Sequence, residues 1–349
     1  MTRQGSPQLA QALQEMVAAG LPGAFIYIED AEGSSTFLTA GVADVGTGKR
    51  MAPDSHYRIG STTKTFTATI ILQLVAEGRL RLTDLVGRLL PGRDMPNRDE
   101  LRVEHLLRMR SGLADFVDHP SLLELDANLA PHALEDILSL ALTAGPSFEP
   151  GERFAYCNTN FCLLEWIVQQ VTGRTLGQEI SERILKVLDM RNTWYPPEDD
   201  LSLPEPYIRG YDHTRTGWRE CSQVFFGRGD GAIISTALDL SRFFRGLFAG
   251  RLVSQDLLAQ MQFVVEDDVP PAYAYGMGLI ADTLADRIVW GHSGRGWGYH
   301  HLPFMDPETG RLVICMQNGT YGFRVSTIPA DQQPRFTPHI RQLAYGKSD

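Results

Sequence analysis

The stretch YRIGSTTKTFTATIILQLVAEGRL, residues 57–80, decides how the rest of the chain reads. From Thr62 to about Glu77 it is apolar on most faces, the pattern of a helix buried on all sides. Ser61 stands at the start of that helix and Lys64 lies three residues on, an S-x-x-K. Residues three apart share a helix face, so the lysine amine reaches the serine hydroxyl. A serine hydroxyl is a weak nucleophile and needs an adjacent base, which a lysine supplies if burial or a nearby cation lowers its pKa. The helix N-terminus adds free amides and a positive dipole end, both favouring negative charge near Ser61. The plainer reading makes Ser61 an N-cap and Lys64 a solvated side chain. Against it, the chain has only four lysines (Lys49, Lys64, Lys186 and Lys347), and Lys64 sits in an apolar helix where an unpaired ammonium is costly.

Two further motifs lie downstream. Tyr156-Cys157-Asn158 precedes the helical pattern NFCLLEWIV. A phenol there can relay a proton between nucleophile and leaving group, and the Asn amide can hold a substrate amide and the lysine. A packed aromatic followed by a helix cap is the competing reading. His292-Ser293-Gly294 ends the strand pattern RIVW. Edge-strand amides can bind a substrate as an added strand and supply an oxyanion donor, with Gly294 permitting its close approach. An ordinary hairpin turn with an incidental His is the alternative.

Around these motifs, residues 7–20 carry helical spacing, and AFIYIED and TFLTAGVAD read as an antiparallel hairpin packed on that helix. From about 80 to 225, helical patterns (LRVEHLLRM, ALEDILSLALT, FCLLEWIVQQVTG, EISERILKVL) alternate with Gly/Pro turns and show little strand signal. Strand signals return with GAIIST, AYGMGLI, RIVWGHSG, WGYHHLPFM and RLVICMQNG, an antiparallel meander with turns such as DPETG. The last segment is helix-like only after Pro338. The fold expected is α/β (α+β): an antiparallel sheet flanked by helices, built from residues 1–75 and 226–349, with a mainly helical lobe, 76–225, inserted. An active-site cleft is expected at their junction.

At 349 residues, 43% hydrophobic and 21% charged, the chain can bury a large core. A formal net charge of −10 argues against a nucleic-acid partner, which needs concentrated Lys and Arg. Cys157, Cys162, Cys221 and Cys315 lack metal-site spacing and read as buried free thiols. With no phosphate-binding or dinucleotide motif, no cofactor and no metal are expected. No signal peptide or membrane-spanning run is visible, so a cytoplasmic location without a membrane partner is expected.

Taken with RSGLADF, GAIISTALDLSRFF and VWGHSGRGWGY, the three motifs resemble the penicillin-recognising serine hydrolases along nearly the whole chain. The branch most resembled is that of the low-molecular-weight DD-carboxypeptidases and their relatives: class C β-lactamases, D-aminopeptidases, D-amino-acid amidases and esterases. The resemblance implies Ser61 as acylated nucleophile, Lys64 and Tyr156 as proton-transfer pair, and Asn158 as substrate-amide ligand. His292 fills the place of the third motif's usual Lys or His, and the Ser61 and Arg295 amides form the oxyanion hole. A His in that place lowers the β-lactamase reading. The strand arginine that binds a terminal carboxylate in the related DD-peptidase is missing from YGMGLIAD. Arg295 offers a carboxylate grip from the other side, or is a solvated hairpin residue. Phe226, Arg228 and Asp230 fall where the family lines its pocket; Asp230 would receive a substrate ammonium, unless it pairs with Arg228.

The resemblance implies a D-alanyl-D-alanine carboxypeptidase-type D-peptidase acting on a small-molecule or short-peptide substrate. D-amino-acid amidase or D-aminopeptidase, esterase, peptide-cyclising acyltransferase and β-lactamase activities stay open beside it. A non-catalytic penicillin-binding sensor is the reading of a different class.

Overall fold

The computed structural model describes residues 6–265, 274–284, 287–323 and 329–346. Its central feature is an eight-stranded antiparallel sheet. Helix α1 (Pro7–Ala18) leads into β1 (Gly23–Glu29) and β2 (Ser35–Gly41), the expected hairpin, in register Gly23 to Gly41. The chain passes through β3 (Tyr57–Arg58) into α2 (Thr63–Ala76). Helices α3 (Val86–Leu89), α4 (Val103–Leu107), α5 (Leu134–Leu142), α6 (Thr159–Thr172), α7 (Leu176–Ile180) and α8 (Lys186–Leu188) follow. Strands β4 (Tyr211–Thr214), β5 (Gly217–Glu220) and β6 (Ile234–Ser235) precede α9 (Ala237–Phe248) and α10 (Gln255–Gln262).

The meander then supplies β7 (Ala274–Tyr275), β8 (Ile280–Leu284), β9 (Arg287–Gly291), β10 (Gly294–Gly296), β11 (Tyr299–Met305), β12 (Leu312–Gln317) and β13 (Gly319–Thr320), with α11 (Pro338–Tyr345) after it. The sheet order is β2-β1-β12-β11-β9-β8-β7, with β10 paired to β11 beside this path. Both chain ends therefore build one sheet. Every residue of β12 is buried, with α11 and α9 packed against it, which explains a near-continuous apolar run in place of strict alternation.

The hairpin β4–β5, with β13 added in parallel to β4, lies in a segment whose sequence showed little strand signal. Its residues, YDHT and GWRE, are polar and only partly buried, so alternation is weak. Helix α2 starts one residue later than its apolar pattern suggests. Gly60–Thr62 form a 3₁₀ turn, and Ser61 sits in that turn rather than on the α-helix.

Every residue of α2 from Thr63 to Leu72 is buried. Phe66 stacks on Phe243 of α9 at 3.6 Å, and burying a phenylalanine contributes about 1.5–3 kcal/mol. The threonines satisfy their hydroxyls by reaching out to other segments: Thr62 donates to the His292 carbonyl, Thr65 to that of Gly278 and Thr67 to that of Gly229, each at 2.7 Å. Each joins α2, or the 3₁₀ turn that leads into it, to a different piece of chain. No described helix is long and apolar enough to cross a membrane.

Replacing Thr67 by Val keeps the shape but strands the buried Gly229 carbonyl. The expected cost is about 1–3 kcal/mol, read as a lower urea midpoint at unchanged slope; an unchanged midpoint would show that this hydrogen bond does not hold the helix.

Candidate active site

Ser61 is presented by the 3₁₀ turn between β3 and α2. The turn needs Gly60 twice over. Its φ is +50°, and a Cβ there would stand 3.0 Å from the Phe226 ring and 3.3 Å from the Arg295 amide nitrogen. The same close approach brings β10, which pairs only with β11 among the described strands, alongside Ser61.

Lys64, the second residue of α2, is fully buried. Its Nζ donates to Ser61 Oγ at 3.1 Å, to Asn158 Oδ1 at 2.7 Å and to the Asp230 carbonyl at 2.9 Å. Three acceptors match the three protons of an ammonium. Burial alone pushes the amine's pKa down, but Tyr156, Asp230 and Asp115 outweigh it and the net direction is up. The lowered lysine pKa expected from burial is therefore not found; at rest Lys64 is a cation.

Tyr156 lies over this cation, with Nζ 5.0 Å from its ring centre. Burial raises the phenol's pKa, while the charge of Lys64 and hydrogen bonds with Lys64 and Ser61 pull against the rise. Asn158 begins α6, yet its side chain does not cap the helix. Its Oδ1 accepts from Lys64, and its Nδ2 and backbone amide donate to Asp115 Oδ2 at 2.8 and 3.0 Å. Asp115 thus sets which way the Asn158 amide points. Burial raises the Asp115 pKa to about 6, even with the Asn158 hydrogen bonds and Lys64 opposing.

His292 is buried at the end of β9. Its Nδ1 lies 2.7 Å from the Ser293 carbonyl and its Nε2 lies 3.3 Å from the Tyr275 hydroxyl. Burial and the charge of Lys64 lower its pKa to about 3, so the ring is neutral.

These groups open onto a cleft of about 560 Å³ whose lining includes Ser61, Tyr156, Asn158, Phe226, Asp230, His292, Ser293 and Arg295. An aromatic portion is formed by Phe116, Phe225, Phe226, Trp297 and Phe323. Arg295 is exposed, its guanidinium 5.7 Å from the Phe323 ring centre.

Three sequence expectations need correction. Arg228 does not line the cleft: its guanidinium turns to Glu165 at 3.6 Å and over the Tyr195 ring, where burial demands a carboxylate partner. Asp230 is only 5% exposed, and its Oδ1 accepts from the Arg228 backbone amide at 2.8 Å and from Cys162 Sγ at 3.2 Å. Its carboxylate is tied into its own loop, and its carbonyl is what reaches Lys64. Gly294 makes room for protein, not for substrate, because a Cβ there would strike the Ile59 carbonyl and the His301 ring.

Asp115 is the residue that the motifs did not single out. It lies within RSGLADF, and its signal is slight: one carboxylate between apolar neighbours.

Residues 9–333 match the Beta-lactamase family. The chain belongs to that family. It has that family's fold, with Ser61, Lys64 and Tyr156 gathered in one site. Among solved structures it is similar to a D-stereospecific amidohydrolase from Streptomyces sp., at 30% identity and TM-score 0.82, covering 95% of this chain and 97% of the other. It is also similar to the D-amino acid amidase from Ochrobactrum anthropi SV3 complexed with D-phenylalanine, at 26% identity and TM-score 0.79, covering 89% and 90%. A D-aminopeptidase from Brucella anthropi is 28% identical over 262 residues, 74% of this chain and 49% of that protein. The chain spans less than half the length of the curated relatives it matches first.

Asn158→Ala removes one of the three acceptors of the buried ammonium and frees Asp115. A displaced Lys64 is expected to slow modification of Ser61 by a fluorophosphonate about 100-fold, with the circular dichroism spectrum unchanged. A wild-type rate would remove Asn158 from the site.

Proposed function

We propose that this protein is a serine amidase or aminopeptidase that acts through an acyl-enzyme on Ser61 and takes aminoacyl amides or short peptides with a free α-amino group. The observation that carries the reading is the charge of the cleft wall. Among its described lining residues Asp115 and Asp118 stand against one arginine, the exposed Arg295; Asp230 also lines it, but its carboxylate is tied to the Arg228 amide and Cys162. A carboxypeptidase must bind a carboxylate beside the scissile bond, but the third-motif His292 is neutral, and Asp115 is held against Asn158 in the same site. On that side of the cleft the carboxylates of Asp115 and Asp118 favour an ammonium over a carboxylate. The aromatic portion suits a large apolar side chain. The likeness to a D-aminopeptidase, a D-stereospecific amidohydrolase and a D-amino acid amidase supports the same choice and favours D-configured substrates.

In this mechanism Lys64 and Tyr156 titrate as one unit, and removal of one proton from the pair creates the base. The Ser61 proton passes to Tyr156 while Lys64 remains beside the phenol oxygen, and Ser61 Oγ bonds to the acyl carbon. The oxyanion is held by the Ser61 and Arg295 amides. Collapse breaks the C–N bond, and the leaving amine takes its proton from Tyr156. Water then enters by the same route in reverse, releasing the acid and free Ser61.

Intact-mass measurement after fluorophosphonate treatment is expected to show one adduct on wild type and none on Ser61→Ala. Turnover of D-phenylalanine amide should exceed that of its N-acetyl derivative. An adduct persisting on Ser61→Ala, or no turnover of any aminoacyl amide, defeats the proposal.

Asp115 supplies a pH test. Its folded-state pKa is raised to about 6, so it is an anion above that pH and neutral below. KM for D-phenylalanine amide is therefore expected to rise as pH falls through about 6, about tenfold per pH unit at the limit. Asp115→Asn keeps an oxygen for the Asn158 amide but should flatten this limb and leave KM high throughout. An unaltered limb in the variant would assign it to another group.

A further inference from the structure

The third motif's histidine is held on both sides. Its Nδ1 faces a carbonyl, that of Ser293 at 2.7 Å, and a carbonyl only accepts, so Nδ1 carries the proton. Its other nitrogen, Nε2, faces the hydroxyl of Tyr275 at 3.3 Å, with the two rings edge to face at 5.7 Å. Both residues are buried, 1% and 2% exposed, and the charged group facing them is the ammonium of Lys64, which disfavours a second proton on the ring. Nε2 is then a bare acceptor and Tyr275 the donor. The sheet register makes this contact: Tyr275 pairs with Ile280, and Ile280 pairs with Gly291, the residue before His292.

With its proton and its lone pair both engaged inside the protein, the imidazole has nothing left to exchange with Ser61 or Tyr156. What it does hold is the Ser293–Gly294 peptide, the link through which β9 turns into β10. We propose that Tyr275 and His292 are positioning residues: the Tyr275 hydroxyl fixes the His292 tautomer, and the His292 Nδ1–H fixes the Ser293 carbonyl, which aims the β10 edge at the acyl group on Ser61. Tyr275 carries this role from a strand outside all three motifs. The kinetic half of the inference rests on the amidase reading above, whereas the tautomer is a property of the resting protein.

The test joins ring ¹⁵N NMR of histidine-labelled protein to kinetics with D-phenylalanine amide. Wild type is expected to show His292 as the neutral Nδ1–H tautomer, and Tyr275→Phe to show exchange between tautomers with kcat about tenfold lower, the worth of one hydrogen bond, and KM within twofold. His292→Asn offers an amide N–H near the place of Nδ1–H and an oxygen for Tyr275, so it should lose no more than about tenfold in kcat, whereas His292→Ala should lose about 100-fold. Equal losses in the Asn and Ala variants, as an acid–base imidazole requires, or an Nε2–H tautomer in wild type, overturn the inference. So does a Tyr275→Phe protein that melts earlier with kcat and tautomer unchanged, since that marks simple packing. If wild type turns over no amide, the amidase reading fails and the NMR result alone decides whether Tyr275 sets the tautomer.

Discussion

An ammonium group fully removed from water is the constraint around which this protein is arranged. Lys64 sits on a helix whose neighbouring residues are all buried, and an unpaired cation there would be untenable. Its three protons are met by a hydroxyl on its own turn, a side-chain amide at the start of α6 and a carbonyl of the loop before β6. The farthest of these partners, Asp230, lies 166 residues from Lys64 along the chain. Satisfying one cation therefore fixes how the first and second thirds of the sequence meet.

The threonines of α2 extend the same logic to uncharged groups. Each buried hydroxyl needs a partner, and Thr62, Thr65 and Thr67, on this helix and the turn leading into it, find acceptors just after β9, on the segment before β8 and on the loop before β6. A helix of leucines in this place would pack as well but slide and rotate more freely. The polar contacts give α2 one azimuth and one height, and with them Ser61 receives one direction into the cleft.

The sequence made the fold legible where local signals were strong. The hairpin of residues 23–41, the buried helix and the closing meander each carry a period or a run that few alternatives share. The β4–β5 hairpin was hidden because its strands are short and polar. At the site, Ser61 and Lys64 could be joined by spacing alone, being one turn apart. Tyr156, Asn158 and His292 needed the family resemblance. Asp115 stayed obscure because its partner is 43 residues away and nothing in the chain announces the pairing. Arg228 and Gly294 were misread for one shared reason: sequence places a residue near a site but does not say which way its side chain, or its missing side chain, faces.

The four cysteines have a bearing on how the protein meets its chemical surroundings. All are reduced and buried, and burial pushes each thiol well above its ordinary pKa. Cys157, between Tyr156 and Asn158, points its sulfur back at the Leu113 and Ala114 carbonyls, just before Asp115. Oxidants and alkylating reagents act on exposed thiolate, and the native protein offers none at these positions. Thiol chemistry consequently proceeds only through opening of the surrounding structure, so its rate is a clock for that opening.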